Sequence, residues 1–318
     1  MAFNELPFEK PINELKKMIN EMRSAADAEL PSGKAKIARL EKKLSALIES
    51  TYKNLSAWDI VMISRHPQRP YAMDYINNIG DNFIELHGDR GFKDDTALIG
   101  GLLEVGGIKL MVIGQEKGRG TDEKIYRNFG MAHPEGYRKA LRLMKMAEKF
   151  KLPVLCLIDT SGAYPGLGAE ERGQAEAIAR NLREMSVLRT PSVSIVIGEG
   201  GSGGALGIGV TDRILMLQYS TYSVISPEGC ASILFRDASK AETSAKSLKL
   251  TSSDLIHFGI IDRIIEEPIG GAHNNPHEIF ASVKSALIEE LGALMKLPPN
   301  ILTKKRFNKF RKMGVYNE

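Results

Sequence analysis

Two cysteines in 318 residues, Cys156 in an apolar run and Cys230 among small residues, leave no material for a disulfide framework. They read as reduced, buried thiols, and no cysteine set has the spacing of a zinc site, so no metal is expected on this chain. Long hydrophobic runs are missing too: none approaches the ~18–20 residues of a membrane span. The N-terminal stretch from Met1 to Lys17 mixes acids and bases without an apolar signal core. A soluble, cytoplasmic protein with no membrane partner is the expectation. Charge of one sign is also scarce. The formal net charge is +4, with the basic run concentrated between Lys304 and Lys312. Nucleic acid is therefore not expected as the main ligand, although such a tail also suits an anionic or acidic partner. Repeats and low-complexity segments are absent. What is present, 43% hydrophobic residues, suffices for one large α/β domain with helical additions or for two smaller domains.

Three regions follow from the patterning. Residues 1–55 read as a helical hairpin arm. Ile12, Leu15, Ile19 and Met22 form one thin apolar stripe and Ile37, Leu40, Leu44 and Leu47 another, with Pro31-Ser32-Gly33 as the break between them. Residues 56–296 form the main domain: short helices at 57–64 and 70–79, then a hairpin turning at Gly106-Gly107. Helices and strands alternate from residue 134 onward, which predicts a parallel or mixed sheet with helical crossovers. Residues 297–318 form a basic tail, read as a solvated helix end.

Two glycine-rich loops, each after a strand and before a helix, stand out. The first holds Gly162, Ala163 and Tyr164, and the second runs Gly198-Glu199-Gly200-Gly201-Ser202-Gly203-Gly204-Ala205. Ligands of such sheets bind at strand ends. The second loop admits three readings. Gly198, Gly200 and Gly203 fit a dinucleotide fingerprint, but no acid stands about twenty residues on. Gly200-Gly201-Ser202-Gly203-Gly204 fits a serine nucleophile elbow, which needs a downstream histidine such as His257, His273 or His277. In the third reading the peptide N–H groups of Gly203, Gly204 and Ala205 act themselves, as unpaired donors at a helix start that receive an oxyanion. A purely structural packing turn is the bland alternative.

Other polar clusters carry less. His273 and His277 have metal-like spacing, but Pro276 stands between them. Lys117, Arg119 and Arg127 lie on glycine-loosened backbone and suit either an anionic ligand or a solvated loop. Glu170 and Glu171 fit the first turn of a helix.

Taken together, several strings closely resemble the alpha subunits of bacterial and plastid-type acetyl-CoA carboxylase carboxyltransferase. They are His66-Pro-Gln-Arg-Pro70, Lys117-Gly-Arg119, Arg127-NFGM, Pro134-EGYRKALRLM, Gly162-AYPG, Ile197-GEGGSGGAL and Ser223-VISPEGCASIL. Two departures stand out: Ser161 where that family usually has proline, and Gln115-Glu116 in place of its His-Gln. The resemblance implies a crotonase-like α/β fold of repeated ββα units. It implies transfer of a carboxyl group from carboxybiotin, presented by the biotin carboxyl carrier protein, to acetyl-CoA, giving malonyl-CoA for fatty-acid synthesis. Biotin carboxylase and a zinc-carrying beta subunit, in an α2β2 assembly, are the implied partners. Gly203, Gly204 and Ala205 would then be the catalytic donors. Gly162, Ala163, Tyr164, Gly200, Gly201 and Ser202 would shape the carboxybiotin pocket. On this reading Gly204→Val blocks transfer without unfolding the chain.

Overall fold

The computed structural model describes residues 6–24 and 30–314; the ends of the expected arm and tail, at 1–5 and 315–318, and the link at 25–29 lie outside the described residues. Helices α1 (Lys10–Arg23) and α2 (Pro31–Lys53) run antiparallel, Arg23 pairing with Glu41 and the Tyr52 hydroxyl donating to Glu9. Ile12, Leu15 and Ile19 are buried as their spacing predicts. Pro31, however, does not separate the helices. It opens α2 at a position where the missing N–H has no intrahelical acceptor to lose. The stripe ends on the body, where Leu6, Ile12 and Tyr52 meet Ile63 and Tyr219.

Helix α3 (Ala57–Ser64) begins with a reciprocal cap: the Asp59 N–H donates to Ser56 Oγ (3.1 Å) and the Ser56 N–H to Asp59 Oδ2 (2.9 Å). Helix α4 (Ala72–Ile79) leads to β1 (Asp81–Glu85), β2 (Leu98–Val105) and β3 (Ile108–Gln115), which pair antiparallel. Gly106 and Gly107, at φ 56° and 81°, close the β2–β3 hairpin with Val105 opposite Ile108. β1 has no apolar signature; its largely exposed residues are held by pairing at the sheet edge.

After α5 (Gly120–Tyr126) and α6 (Pro134–Phe150) the sheet becomes parallel. β4 (Val154–Thr160) lies beside β3, and β5 (Ser192–Gly201) beside β4. α7 (Leu167–Glu171) and α8 (Gln174–Ser186) connect β4 to β5, and α9 (Ser202–Leu206) leads on to β6 (Arg213–Leu217) beside β5. β7 (Thr221–Ser223) pairs the far end of β5. α10 (Pro227–Phe235), α11 (Ala241–Leu248) and α12 (Ser252–His257) precede β8 (Arg263–Ile265), which pairs β6. α13 (Pro276–Leu294) and α14 (Pro299–Arg311) follow. Strand residues alternate between two cores: Leu155 and Leu157 pack with Ile79 and Leu287, Cys156 and Ile158 with Leu143 and Met185. No helix among the described residues is long and apolar enough to cross a membrane.

Two expectations change. The helix after the first glycine loop is split at Arg172-Gly173, because Gly173 takes the left-handed conformation (φ 81°) and starts α8 afresh. The basic C-terminal segment is not simply a solvated end. Arg306, 1% exposed, grips Asp212 with two nitrogens (3.0 and 2.6 Å) and donates to the Leu188 carbonyl (2.8 Å). It also donates to the Met185 carbonyl near the end of α8, where a cation is favoured. Lys304, Lys305, Arg311 and Lys312 stay exposed.

Candidate active site

The parallel strands deliver the two glycine loops side by side. Ile158 pairs with Val196 but Thr160 pairs with Gly200, so β5 carries two extra residues at this end. The Asp159 side chain fills the space that results. Its Oδ1 accepts from the Glu199 N–H (2.9 Å) and lies 2.4 Å from where a Cβ on Gly198 would stand, which excludes any side chain there. At Ile197 the strand passes from β6 to β7, and the orphaned Ile197 carbonyl accepts from Arg69 (2.9 Å). Arg69 is itself held by both oxygens of buried Glu267 (2.7 and 2.9 Å).

The loops do not face each other across a cavity; they touch backbone to backbone. A Cβ on Gly201 would stand 2.2 Å from the Ser161 carbonyl oxygen, and one on Gly204 would stand 2.5 Å from the Gly162 carbonyl carbon and 2.6 Å from the Ala163 nitrogen. Gly204→Val therefore strikes main chain, and the expectation that it would spare the fold is corrected. Gly203 is different. Its nearest neighbours would be the Ile178 methyls at 3.7 and 3.8 Å, so a side chain fits there.

Strand β5 becomes the one-turn helix α9 at Ser202, whose φ of 51° makes the corner. The helix tightens at its end: the Ile208 N–H bonds to Ala205 (3.3 Å), not to Gly204. The Gly204 carbonyl is taken instead by two buried side chains, Gln115 Nε2 at 2.7 Å and the Tyr137 hydroxyl at 3.3 Å. Gln115 also accepts from the Asp159 N–H (3.1 Å), continuing the β3–β4 ladder beyond its last backbone pair.

The expected site residues divide between two hollows. Ser202 and Gly203 line an apolar slot of about 280 Å³ with Leu206, Tyr222, Phe310 and Met313. Gly200 and Gly201 border a small cleft with Ser161, Arg65, Glu199 and Ile225. Gly204 and Ala205 are buried behind Gly203. Tyr164 lines neither hollow; its ring lies tilted at 43° against His133 with centroids 4.1 Å apart, and its carbonyl is held by Gln174 (2.9 Å).

Beneath the loops lies a charge network that residue types alone did not reveal. Lys117 Nζ sits 2.8 Å from both Asp159 and Glu199, and Arg65 reaches Glu199 (2.6 Å) and Glu228 (2.5 Å). Burial works against ionising Glu199, but the Lys117 and Arg65 charges overcome it and bring the carboxyl to about 2. Among the described residues no cation forms a salt bridge with neighbouring Glu116, and of the cations only Arg127 acts on it through its charge from nearby. Burial dominates over N–H donation from Met73 (2.8 Å) and Gly118 (3.3 Å), lifting it to about 7. The cations read as possible ligand contacts are thus engaged internally. Arg119 pairs with Asp74 on the surface and lies over the Tyr71 ring (4.8 Å), and Arg127 binds Glu123 (3.1 Å) and the Thr96 carbonyl (3.0 Å). Only the sequence spacing of Lys117, Asp159 and Glu199 at three strand ends signals their meeting.

Ser202 is exposed and has no hydrogen-bond partner among the described residues. His257 lies at the end of α12 against Phe258 (5.6 Å), and His273 stacks on His66 (3.9 Å). His277 is exposed in the first turn of α13, and among the described residues no histidine hydrogen-bonds Ser202, so nothing favours a serine nucleophile.

A family model described as acetyl co-enzyme A carboxylase carboxyltransferase-like matches residues 5–314. The acetyl-coenzyme A carboxylase carboxyl transferase subunit alpha of Methylococcus capsulatus is 56% identical over 318 residues, 100% of this chain and 99% of the relative. That of Fusobacterium nucleatum is 54% identical over 98% of this chain and 100% of the relative. Among solved structures, transcarboxylase 12S with methylmalonyl-coenzyme A superposes with a TM-score of 0.57 at 19% identity, covering 70% of this chain and 42% of the other. A Pseudomonas malonate decarboxylase hetero-tetramer in complex with coenzyme A gives 0.56 at 16% identity, covering 69% and 88%. These likenesses show the crotonase-like α/β fold.

Proposed function

The chain belongs to the acetyl-CoA carboxylase carboxyltransferase family as an alpha subunit, and from that premise we propose that its α9 turn serves the carboxybiotin half of the reaction. It is a carboxyltransferase, and the family's work is the carboxylation of acetyl-CoA to malonyl-CoA for fatty-acid synthesis. The observation that carries the site reading is Gly203: a bare residue at a helix start, on the rim of an apolar slot, with no side chain between its amide and the slot.

Carboxybiotin, delivered on a carrier protein loaded by biotin carboxylase, supplies the carboxyl group and leaves negative charge on its ureido oxygen. The apolar lining from Leu206, Tyr222, Phe310 and Met313 suits the faces of a fused hydrocarbon-rich ring. The N–H groups of Gly203, Gly204 and Ala205 receive the oxygen's charge, and the low dielectric of the slot strengthens that contact. Gly162 and Ala163 brace the turn at Gly204, Gly200 and Gly201 keep β5 in register with β7, and Tyr164 fixes the first loop against Ala132 and Gln174. No side-chain base is assigned, because the ring nitrogen freed when CO2 leaves carboxybiotin can take the acyl α-proton, and the resulting enolate then attacks the CO2. A beta subunit, carrying the zinc site and most of the CoA contacts, completes the enzyme as α2β2 in the cytoplasm.

The test uses the complex reconstituted with its beta subunit, following malonyl-CoA decarboxylation dependent on free biotin. Gly203→Val keeps the amide but sets a side chain at the slot between it and the ring; its Cβ meets only ordinary contacts, so kcat should fall by about 10²–10³ with unchanged melting, a loss as large as that of one oxyanion donor. Retained turnover would remove the 203–205 turn from the mechanism.

A further inference from the structure

We propose that Gln115 is a positioning residue for carboxyl transfer: its amide clamps the Gly204 carbonyl and so aims the amides of the α9 turn. The inference rests on the reading that those amides receive the oxyanion. A trans peptide is planar, with C=O and N–H on opposite sides. Fixing the Gly204 carbonyl therefore fixes the Ala205 N–H and, through a single helical turn, the parallel N–H groups of Gly203 and Gly204.

The turn needs such a clamp. A five-residue helix has too few internal bonds to hold its own axis. Four of its five members are small, two of them glycine, so its side chains offer little grip. The carbonyl that would normally be bonded within the helix is instead released by the tightening at Ile208 and met by Gln115 at 2.7 Å. Gln115 is fully buried, and its other end accepts from the backbone of Asp159, which in turn holds Glu199 and Lys117. One side chain thus ties the helix to the ends of β3 and β4. Donation to the carbonyl also polarises the amide, strengthening the N–H on its far side. Tyr137 adds a second donor at 3.3 Å.

The discriminating variant is Gln115→Glu in the reconstituted complex. A carboxylate still accepts from Asp159 but cannot donate to Gly204, whereas a protonated carboxyl can do both. In biotin-dependent malonyl-CoA decarboxylation its kcat should fall about 10–100-fold at pH 8.5 and recover to within about threefold of wild type at pH 6, with KM for malonyl-CoA unchanged. Gln115→Leu should lose the same activity at every pH. A Gln115→Glu kcat within twofold of wild type at pH 8.5, or a loss independent of pH, overturns the assignment. Gly203→Val separates the two readings. If it destroys transfer while Gln115→Glu has no acid recovery, only the role of Gln115 falls; if it transfers normally, the oxyanion reading falls as well. Should Gln115→Glu fail to assemble, Tyr137→Phe carries the test: a three- to tenfold fall in kcat is expected, and an unchanged value overturns the clamp.

Discussion

The two glycine loops look alike in sequence and are built differently. The first anchors itself. The Thr160 hydroxyl donates to the Gly162 carbonyl (2.7 Å) and accepts its N–H (3.1 Å), and Tyr164 is fixed by backbone bonds to Ala132 (3.0 Å) and from Gln174 (2.9 Å). The second has almost no side chains of its own and is held from outside, by Gln115 and Tyr137 at Gly204 and by Asn181 at the Gly207 carbonyl (2.9 Å). A loop that leaves its amides bare for a ligand must borrow its rigidity from neighbours, and the cost is a ring of buried polar side chains around it.

The sharpest way to break this pairing is at the seam. Gly204→Val drives a side chain into the Gly162–Ala163 peptide, at 2.5–2.6 Å. Transfer should be undetectable and stability should drop by about 3 kcal/mol or more, read by chemical denaturation, since backbone cannot yield as a side chain can. Gly203→Val, whose Cβ would meet only the Ile178 methyls in ordinary contact at 3.7 and 3.8 Å, should leave the denaturation midpoint where it was.

Next in size is Lys117→Met, which removes the cation shared by Asp159 of one loop and Glu199 of the other. Asp159 is then buried without a partner cation and Glu199 keeps only Arg65, which should destabilise the protein by about 3–5 kcal/mol. A midpoint within experimental error of wild type would mean the loops do not depend on this link.

Glu116→Gln probes the same floor through pH. The carboxyl titrates near 7 folded against an ordinary 4.5, so the folded state binds the proton more tightly. Its contribution is full below pH 4.5 and is lost as the pH rises through 7, by up to about 3 kcal/mol. The glutamine variant should match wild type at pH 5 and melt higher at pH 8.5. Parallel melting curves across that range would show that Glu116 does not titrate as its burial implies.

The smallest effect is expected at Ser202→Gly. The serine stands at φ 51°, which glycine adopts freely, and its hydroxyl has no partner among the described residues. Turnover should change less than about threefold, whereas loss of a true nucleophile costs 10⁴-fold or more.

Much of the scaffold was legible because it repeats a local rule. Strands β2 to β6 are apolar runs, and the Gly106-Gly107 turn dictates its own hairpin register. β1 was not legible, because an edge strand is stabilised by its neighbour and needs no apolar alternation. Nor was the split at Gly173, since a glycine inside a helical pattern does not announce which way its φ will turn. The glycine loops themselves could be found, but their mutual contact could not. Arg306 looked like one more cation in a basic tail, and its burial follows only from where Asp212 and the end of α8 lie.

By itself the sequence determined the two arm helices, strands β2 to β6 with the order of their crossovers, and the two places where backbone would be bare, because propensity, periodicity and the missing Cβ act within a few residues. Only the tertiary structure decided what those places can do. Parallel pairing brings Gln115, Lys117, Asp159 and Glu199 from three strand ends to one point, and a hydrogen bond or a buried charge pair depends on distances that no short stretch of chain can set.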